Sequence, residues 1–387
     1  MTKRERVNRI IKREKVDFLP SQITFSDRTR DDALTKALGL KQNTSLDDFL
    51  QNHLFISLIK ADYPLFLRND VTLMRELEKD GYCRVDLEKG VVYDSWGMGV
   101  KMGSDGFFAS FHPLEKKLTK EFAEKWMPER IWKAVQADTI EERVKLWTPP
   151  DPAAPGNYDW MKRDIEEHGS EFFIVPSGYF GLYERGYGMI GLPQMFENMA
   201  GNPALVTELL EKITDYKIEV AKRMVKFDVD AGHMGDDLGT QVGPFFSADM
   251  FHALLKPMYK KLFGVYKAAG KKMMMHSCGC ITQFLPDLIE CGLDVIEPVQ
   301  PCMGLPFIKK EYGKDLTFWG GIDTQDLLPF GSPERIRKEA AEVIRLLGKG
   351  GGHIIAPSQE IMNDVPLQNI VALVETIVEE REKAAAL

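Results

Sequence analysis

The sequence predicts a (β/α)8 barrel, a TIM barrel of the α/β class, with a large insertion in its N-terminal half. Three observations carry that expectation. From about residue 172 onward, short apolar runs alternate with helical stretches across short loops, the rhythm of parallel strands joined by helical crossovers. Runs such as Met273-Met274-Met275 are apolar at every position, as strands covered on both faces must be. Several runs also end in residues able to bind metals or protons, and barrels of this kind build their sites at the C-terminal ends of their strands.

Taken in order, residues 3–15 read as a basic amphipathic helix, and Val16-Asp17-Phe18-Leu19-Pro20 as entry into a first strand. Phe25 to Arg30 follows with polar groups at the strand's end, either a rim that carries Asp27 or a solvated loop. Between 31 and about 150, helical stretches near 44–60, 70–80 and 129–147 surround a β-ribbon, Cys83–Leu87 with Val91–Trp96, turned by Glu88-Lys89-Gly90. Trp147 to Gly156 holds four prolines in ten residues and reads as a linker. Strands are then expected at Phe172–Ser177, Val229–Asp237, Met273–His276, Leu293–Glu297, Leu316–Asp323 and His353–Ser358, with a last helix over Gln368–Lys383. The whole chain, 1–387, is read as one barrel domain, with about 25–150 as insertion and lid and 160–385 as the main barrel part. Two domains split at the proline-rich stretch are the alternative.

Composition narrows the function classes. A hydrophobic fraction of 44% and a charged fraction of 28% belong to an ordinary globular chain. Mean hydropathy is -0.24, and no apolar run approaches the length of about 18 residues that a membrane span needs. The basic start is followed by no hydrophobic signal core, so a cytoplasmic location is expected. Four of the five cysteines (Cys278, Cys280, Cys291, Cys302) cluster in one stretch, which suits metal-binding or structural thiols in a reducing compartment. A net charge of -8 gives no electrostatic reason to expect nucleic acid. No nucleotide-type glycine loop is present.

The chemistry concentrates at His276-Ser277-Cys278. On one strand, positions i and i+2 point the same way, so both side chains can reach one ion. Glu297, ending the next strand, would complete a nitrogen, sulfur and oxygen donor set that suits zinc and leaves one position open for substrate. Cys280 lies on the same alternation, and Cys302 is a weaker candidate. Asp236 and Asp237 follow another strand, where one of two adjacent carboxylates can serve proton traffic or orient a ligand histidine, a pure loop-capping role being the equal alternative. Gln359, Glu360 and Asp323 belong on the rim, although Asp323 can equally cap the turn into a helix. The aromatic residues Trp96, Phe107 and Phe108 are expected to wall a substrate.

These residues form a pattern. Gly235-Asp236-Asp237-Leu238-Gly239-Thr240-Gln241, Phe246 to Phe251 with Lys256-Pro257, His276-Ser277-Cys278-Gly279, Glu297-Pro298, Gly320-Gly321-Ile322-Asp323 and Gly351 to Pro357 together resemble the uroporphyrinogen decarboxylase superfamily. The resemblance covers about 160–385. It implies a (β/α)8 barrel and one of two activities. The decarboxylase branch holds its many-carboxylate substrate with an arginine pair near the N-terminus, and Ser21 to Arg28 lacks that pair. The cobalamin-dependent methyltransferase branch binds zinc through His-x-Cys, matched by His276 and Cys278, and a later Cys, whose place falls at about Gln359.

The resemblance therefore implies a zinc-dependent methyltransferase that moves a methyl group between a small substrate or thiol and the cobalt of a corrinoid (cobalamin) carried by a partner protein. A methoxylated aromatic substrate and O-demethylation are favoured by the aromatic wall, and homodimerisation is left open. The alternatives are a metal-free decarboxylase of a porphyrinogen-like or other carboxylated substrate, and a non-catalytic module that docks a corrinoid protein.

Overall fold

The computed structural model describes residues 1–26, 35–36, 38–39, 46–64, 71–102 and 109–387. Ten strands are named among them in chain order: β1 (Leu54–Leu58), β2 (Cys83–Asp86), β3 (Val91–Asp94), β4 (Gly99–Lys101), β5 (Phe173–Phe180), β6 (Ala231–Gly235), β7 (Lys272–His276), β8 (Val295–Val299), β9 (Thr317–Ile322) and β10 (His353–Pro357). Seven of these form one sheet in the order β1-β5-β6-β7-β8-β9-β10, and every pair is parallel. Ser21 bridges Asn52 on one edge and Ile355 on the other, both in the parallel sense. Gln22 N–H donates to Ile355 O at 2.9 Å and His53 N–H to Ser21 O at 3.1 Å, so the stretch around Ser21 closes the ring as its eighth stave. The molecule is a TIM-barrel-like α/β fold, as the strand–helix rhythm implies.

Strand alternation decides what faces inward. Phe173, Val175, Met274, Val295 and Trp319 pack in one core cluster, whereas Ile174, Met273, Met275, Ile296 and Phe318 pack in another. Neighbouring residues on a strand thus bury on opposite faces, one toward the barrel axis and one toward the helices. Counting by twos along the inner face reaches Ser177 from Val175, His276 from Met274 and Glu297 from Val295. Parallel pairing then sets His276 opposite Glu297, Gly235 opposite His276 and Ser177 opposite His233.

Two expectations change. Among the described residues of the stretch 44–60, an α-helix covers Leu46–Leu50, and Leu54–Leu58 is a barrel strand beside β5. Its aromatic and β-branched centre, Phe55-Ile56, favours the pleated state that helix spacing over a longer window conceals. The region 25–150 is therefore not one insertion: a barrel strand interrupts it, and the long excursion runs from 59 to 172. Within it the expected ribbon is present, β2 pairing antiparallel with β3, and β4 adds a third strand.

A buried charge cluster ties this excursion to the barrel. Asp62 accepts from Trp96 Nε1 at 3.0 Å and pairs with Lys217 Nζ at 3.1 Å and Arg185 Nη2 at 3.5 Å. Arg185 also pairs with Asp94 at 3.1 Å, and Lys217 donates to Gly178 O at 2.6 Å. Trp96 is consequently a core residue and not a substrate wall: it is fully buried, with the Arg185 guanidinium 4.3 Å above its ring and Trp147 stacked at 5.8 Å. Removing Asp62 would leave two buried cations without their shared carboxylate, a loss of about 3–5 kcal/mol. Denaturant unfolding of Asp62→Ala should show that loss, and a change below about 1 kcal/mol would contradict the assignment of a desolvated cluster.

Candidate metal centre

The inner-face residues meet at the C-terminal mouth of the barrel around a cavity of about 340 Å³. Its lining includes Ser177, Tyr179, Glu184, His233, Asp237, His276, Cys278, Glu297, Trp319, Gln359 and Glu360, above an apolar side made by Ile56 and Leu58. Thus β1, β5, β6, β7, β8 and β9 each contribute, as does the turn after β10.

His276 is the hub. Its Nδ1 meets Glu297 Oε2 at 2.7 Å. Its Nε2 faces Cys278 Sγ at 3.4 Å and Asp237 Oδ1 at 3.5 Å. Ligand atoms of Asp237, His276 and Cys278 all lie within 4.8 Å of one another. Zinc bonds of about 2.0–2.3 Å at tetrahedral angles separate neighbouring ligand atoms by about 3.3–3.7 Å, so the two measured gaps fit one ion. Glu297 holds the other ring nitrogen, which keeps the Nε2 lone pair available, the arrangement by which a carboxylate orients a metal-binding histidine. The donor set of imidazole, thiolate and carboxylate suits zinc. Glu297 and Asp237 therefore stand in different places: Glu297 behind the histidine, Asp237 beside the thiol.

The local chain path explains the convergence. Asp237 Oδ1 accepts Cys278 N–H at 2.8 Å, and Cys280 N–H donates to Thr240 O at 2.7 Å, so the turns after β6 and β7 are stitched together. Gly279 makes this contact feasible: its φ is +89°, and a Cβ there would lie 2.3 Å from the Gly239 carbonyl carbon. Gln359 Nε2 donates to Cys278 Sγ at 2.9 Å, so at the position where a later cysteine is expected an amide supports the sulfur.

Burial opposes charge on His276, but the carboxylates of Glu297 and Asp237 and the sulfur of Cys278 outweigh it and hold the imidazole well above its ordinary value. Burial likewise raises Glu297, yet His276 and His233 bring it down to about 2. Burial pushes the Cys278 thiol up despite the opposing effect of His276. Asp237 is held low because hydrogen bonds and charge from His276 overcome its burial. Without an ion these carboxylates favour the charged imidazole, and a dication at Nε2 would compete with that proton.

The remaining expected residues separate clearly. Asp236 is fully buried and its carboxylate is saturated, accepting from the backbone N–H groups of Leu182, Tyr183 and Glu184 and from Tyr259 O–H. Burial pushes it up to about 6 against those donors. It anchors the start of the helix Tyr183–Ile190, where an anion is favoured, and lies outside the cavity lining. Asp323 accepts from the N–H groups of Gln325, Asp326 and Leu327 and is likewise a turn cap outside the lining. Gln359 and Glu360 do line the cavity. Asp27, Phe107 and Phe108 lie outside the described residues.

Two lining residues carry no motif in the sequence. His233 meets Ser177 Oγ through Nδ1 at 2.9 Å, and its Nε2 stands 3.7 Å from Glu297 Oε2. Glu184 comes from the helix that Asp236 anchors, and burial together with Asp237 and Asp236 raises its carboxyl well above the usual range. The alternation along β6 could have pointed to His233; nothing local marks Glu184.

A family model described as uroporphyrinogen decarboxylase (URO-D) matches residues 185–380. Similar proteins include a uroporphyrinogen decarboxylase of Chlorobaculum tepidum, 26% identical over 48% of this chain and 52% of that protein. A methylated-thiol–coenzyme M methyltransferase of Methanosarcina mazei is 23% identical over 46% of this chain and 47% of its own length. A methylcobamide:CoM methyltransferase, MtaA, of Methanosarcina barkeri is 25% identical over 44% and 48%. The chain spans about half the length of the curated relatives it matches. A solved structure, a methyltransferase from Methanosarcina mazei, superposes with a TM-score of 0.62 at 20% identity, covering 98% of this chain and 99% of the other. That likeness shows the fold.

The Glu297 carboxyl lies lower in the folded chain, about 2, than the unfolded value of about 4.3. It therefore favours folding above the unfolded value and ceases to do so as pH falls toward 2. Melting of the metal-free protein should become less stable across that window, and Glu297→Gln should flatten the dependence. An unchanged acid profile in the variant would remove Glu297 from the account. The chain belongs to the uroporphyrinogen decarboxylase family.

Proposed function

We propose that this member of the uroporphyrinogen decarboxylase family is a zinc-dependent methyltransferase, moving a methyl group between a small substrate or thiol and the cobalt of a corrinoid partner protein. The observation that carries the reading is the convergence of Asp237, His276 and Cys278 at the mouth of one cavity, with Glu297 on the far ring nitrogen. A decarboxylase acting on a polycarboxylate needs cations around its substrate. Among the described residues, the cavity lining contains no lysine and no arginine, and four carboxylates face it. The metal-free reading is correspondingly less supported.

In this reading Asp237, His276 and Cys278 hold the ion, and Glu297 fixes the His276 tautomer. Bound there, zinc would supply Lewis acidity for a methyl-bearing heteroatom or lower the charge of a methyl-accepting thiolate. Gln359, through its N–H, spreads the charge on the Cys278 sulfur. Trp319, Ile56 and Leu58 form the wall that keeps water from the reacting face. Asp236 has no direct part: it keeps the Glu184 helix in place.

Purified protein should contain about one zinc per chain by elemental analysis. Cys278→Ala should lose that zinc and reduce methyl transfer to or from added cobalamin by at least about a hundredfold, with an unchanged circular-dichroism spectrum showing that the fold is kept. Full activity in the variant would end the zinc reading.

A further inference from the structure

The same cavity points to a substrate class, an inference that rests on the methyltransferase reading. Four carboxylates face the cavity, those of Asp237, Glu184, Glu297 and Glu360, and its two histidines, His233 and His276, both stand against Glu297. A charge enclosed by protein is costly unless a partner neutralises it. The described lining offers no lysine or arginine for that purpose. Arg185, stacked 4.9 Å from the centre of Phe180, is committed to Asp62 and Asp94 and is not part of the lining.

Aromatic rings complete the picture. Tyr179, Phe180 and Trp319 line the cavity together with the aliphatic side chains of Ile56 and Leu58. Ring faces attract cations that are too bulky to be fully hydrated, and methylated ammonium groups are the usual example. We propose that the cavity takes a small methylated onium compound, with a positively charged nitrogen or sulfur bearing the methyl group, in preference to an anionic or neutral methyl ether.

The same lining disfavours other ligands. A carboxylated or sulfonated ligand would bring its charge against a lining that already holds four carboxylates and no lysine or arginine, and at cavity distances such repulsion is weakly screened. A neutral ether would bring those carboxylates no counter-charge.

The test uses zinc-loaded full-length protein and two probes of the same shape, choline and its neutral carbon isostere dimethylbutanol, in equilibrium titrations. Choline should bind at least about tenfold more tightly, and Trp319→Leu should erase most of that preference while zinc content stays the same. Equal binding of the two probes, or binding of neither at millimolar concentration, would overturn the substrate class. Methyl transfer to cobalamin is followed separately. Transfer from a neutral ether without choline binding refutes the onium class and leaves the reaction standing. Choline preference in a protein that contains zinc but moves no methyl group from any donor supports the onium class and refutes the methyltransferase.

Discussion

Everything at the mouth of this barrel depends on one ring. The His276 imidazole is gripped on Nδ1 by Glu297 at 2.7 Å and presents Nε2 to Cys278 and Asp237. That grip is a consequence of sheet register: β7 and β8 are parallel neighbours, and His276 pairs with Glu297 in the ladder. A slip of one residue would turn either side chain to the helix face and dissolve the centre. The fold therefore specifies the chemistry through the same alternation that packs its core.

Around the ring, the supports are graded by burial. Asp236, next to Asp237 in the chain, is spent wholly on the helix that carries Glu184, while Asp237 turns to the cavity and joins the Cys278 backbone. Two adjacent carboxylates thus do separate jobs because successive residues leave a strand in opposite directions. Farther out, Lys217 reaches Gly178, between the lining residues Ser177 and Tyr179, so the buried Asp62 cluster and the cavity wall share a backbone segment. The excursion from 59 to 172 is fastened to the barrel at the point where the wall is formed.

The sequence made the repeating half of the fold legible because each barrel strand there is a compact apolar run and its polar end falls at a predictable face. It also drew attention to His276, Cys278, Glu297 and Asp237. It could not divide labour between Glu297 and Asp237, since spacing along a strand reports direction and not distance. The strand Leu54–Leu58 stayed hidden because its five residues lie next to a short helix, and a window spanning both reads as one element. Trp96 looked like a substrate wall because aromatic content near a rim carries no information about burial. Its true partner, Asp62, is distant in sequence and recognisable only once the excursion is folded back.

The cavity's charge is the other feature of the folded state that composition does not reveal. A chain of net charge -8 can place its acids anywhere, and here four of them face one cavity at the barrel mouth. The most direct test of the central claim is X-ray absorption at the zinc edge of the purified protein. The account predicts a four-coordinate ion with one sulfur at about 2.3 Å and nitrogen or oxygen neighbours at about 2.0–2.1 Å, including one imidazole. Two or more sulfurs would bring Cys280 or Cys302 into the centre and displace Asp237. A spectrum with no imidazole would contradict the role given to His276.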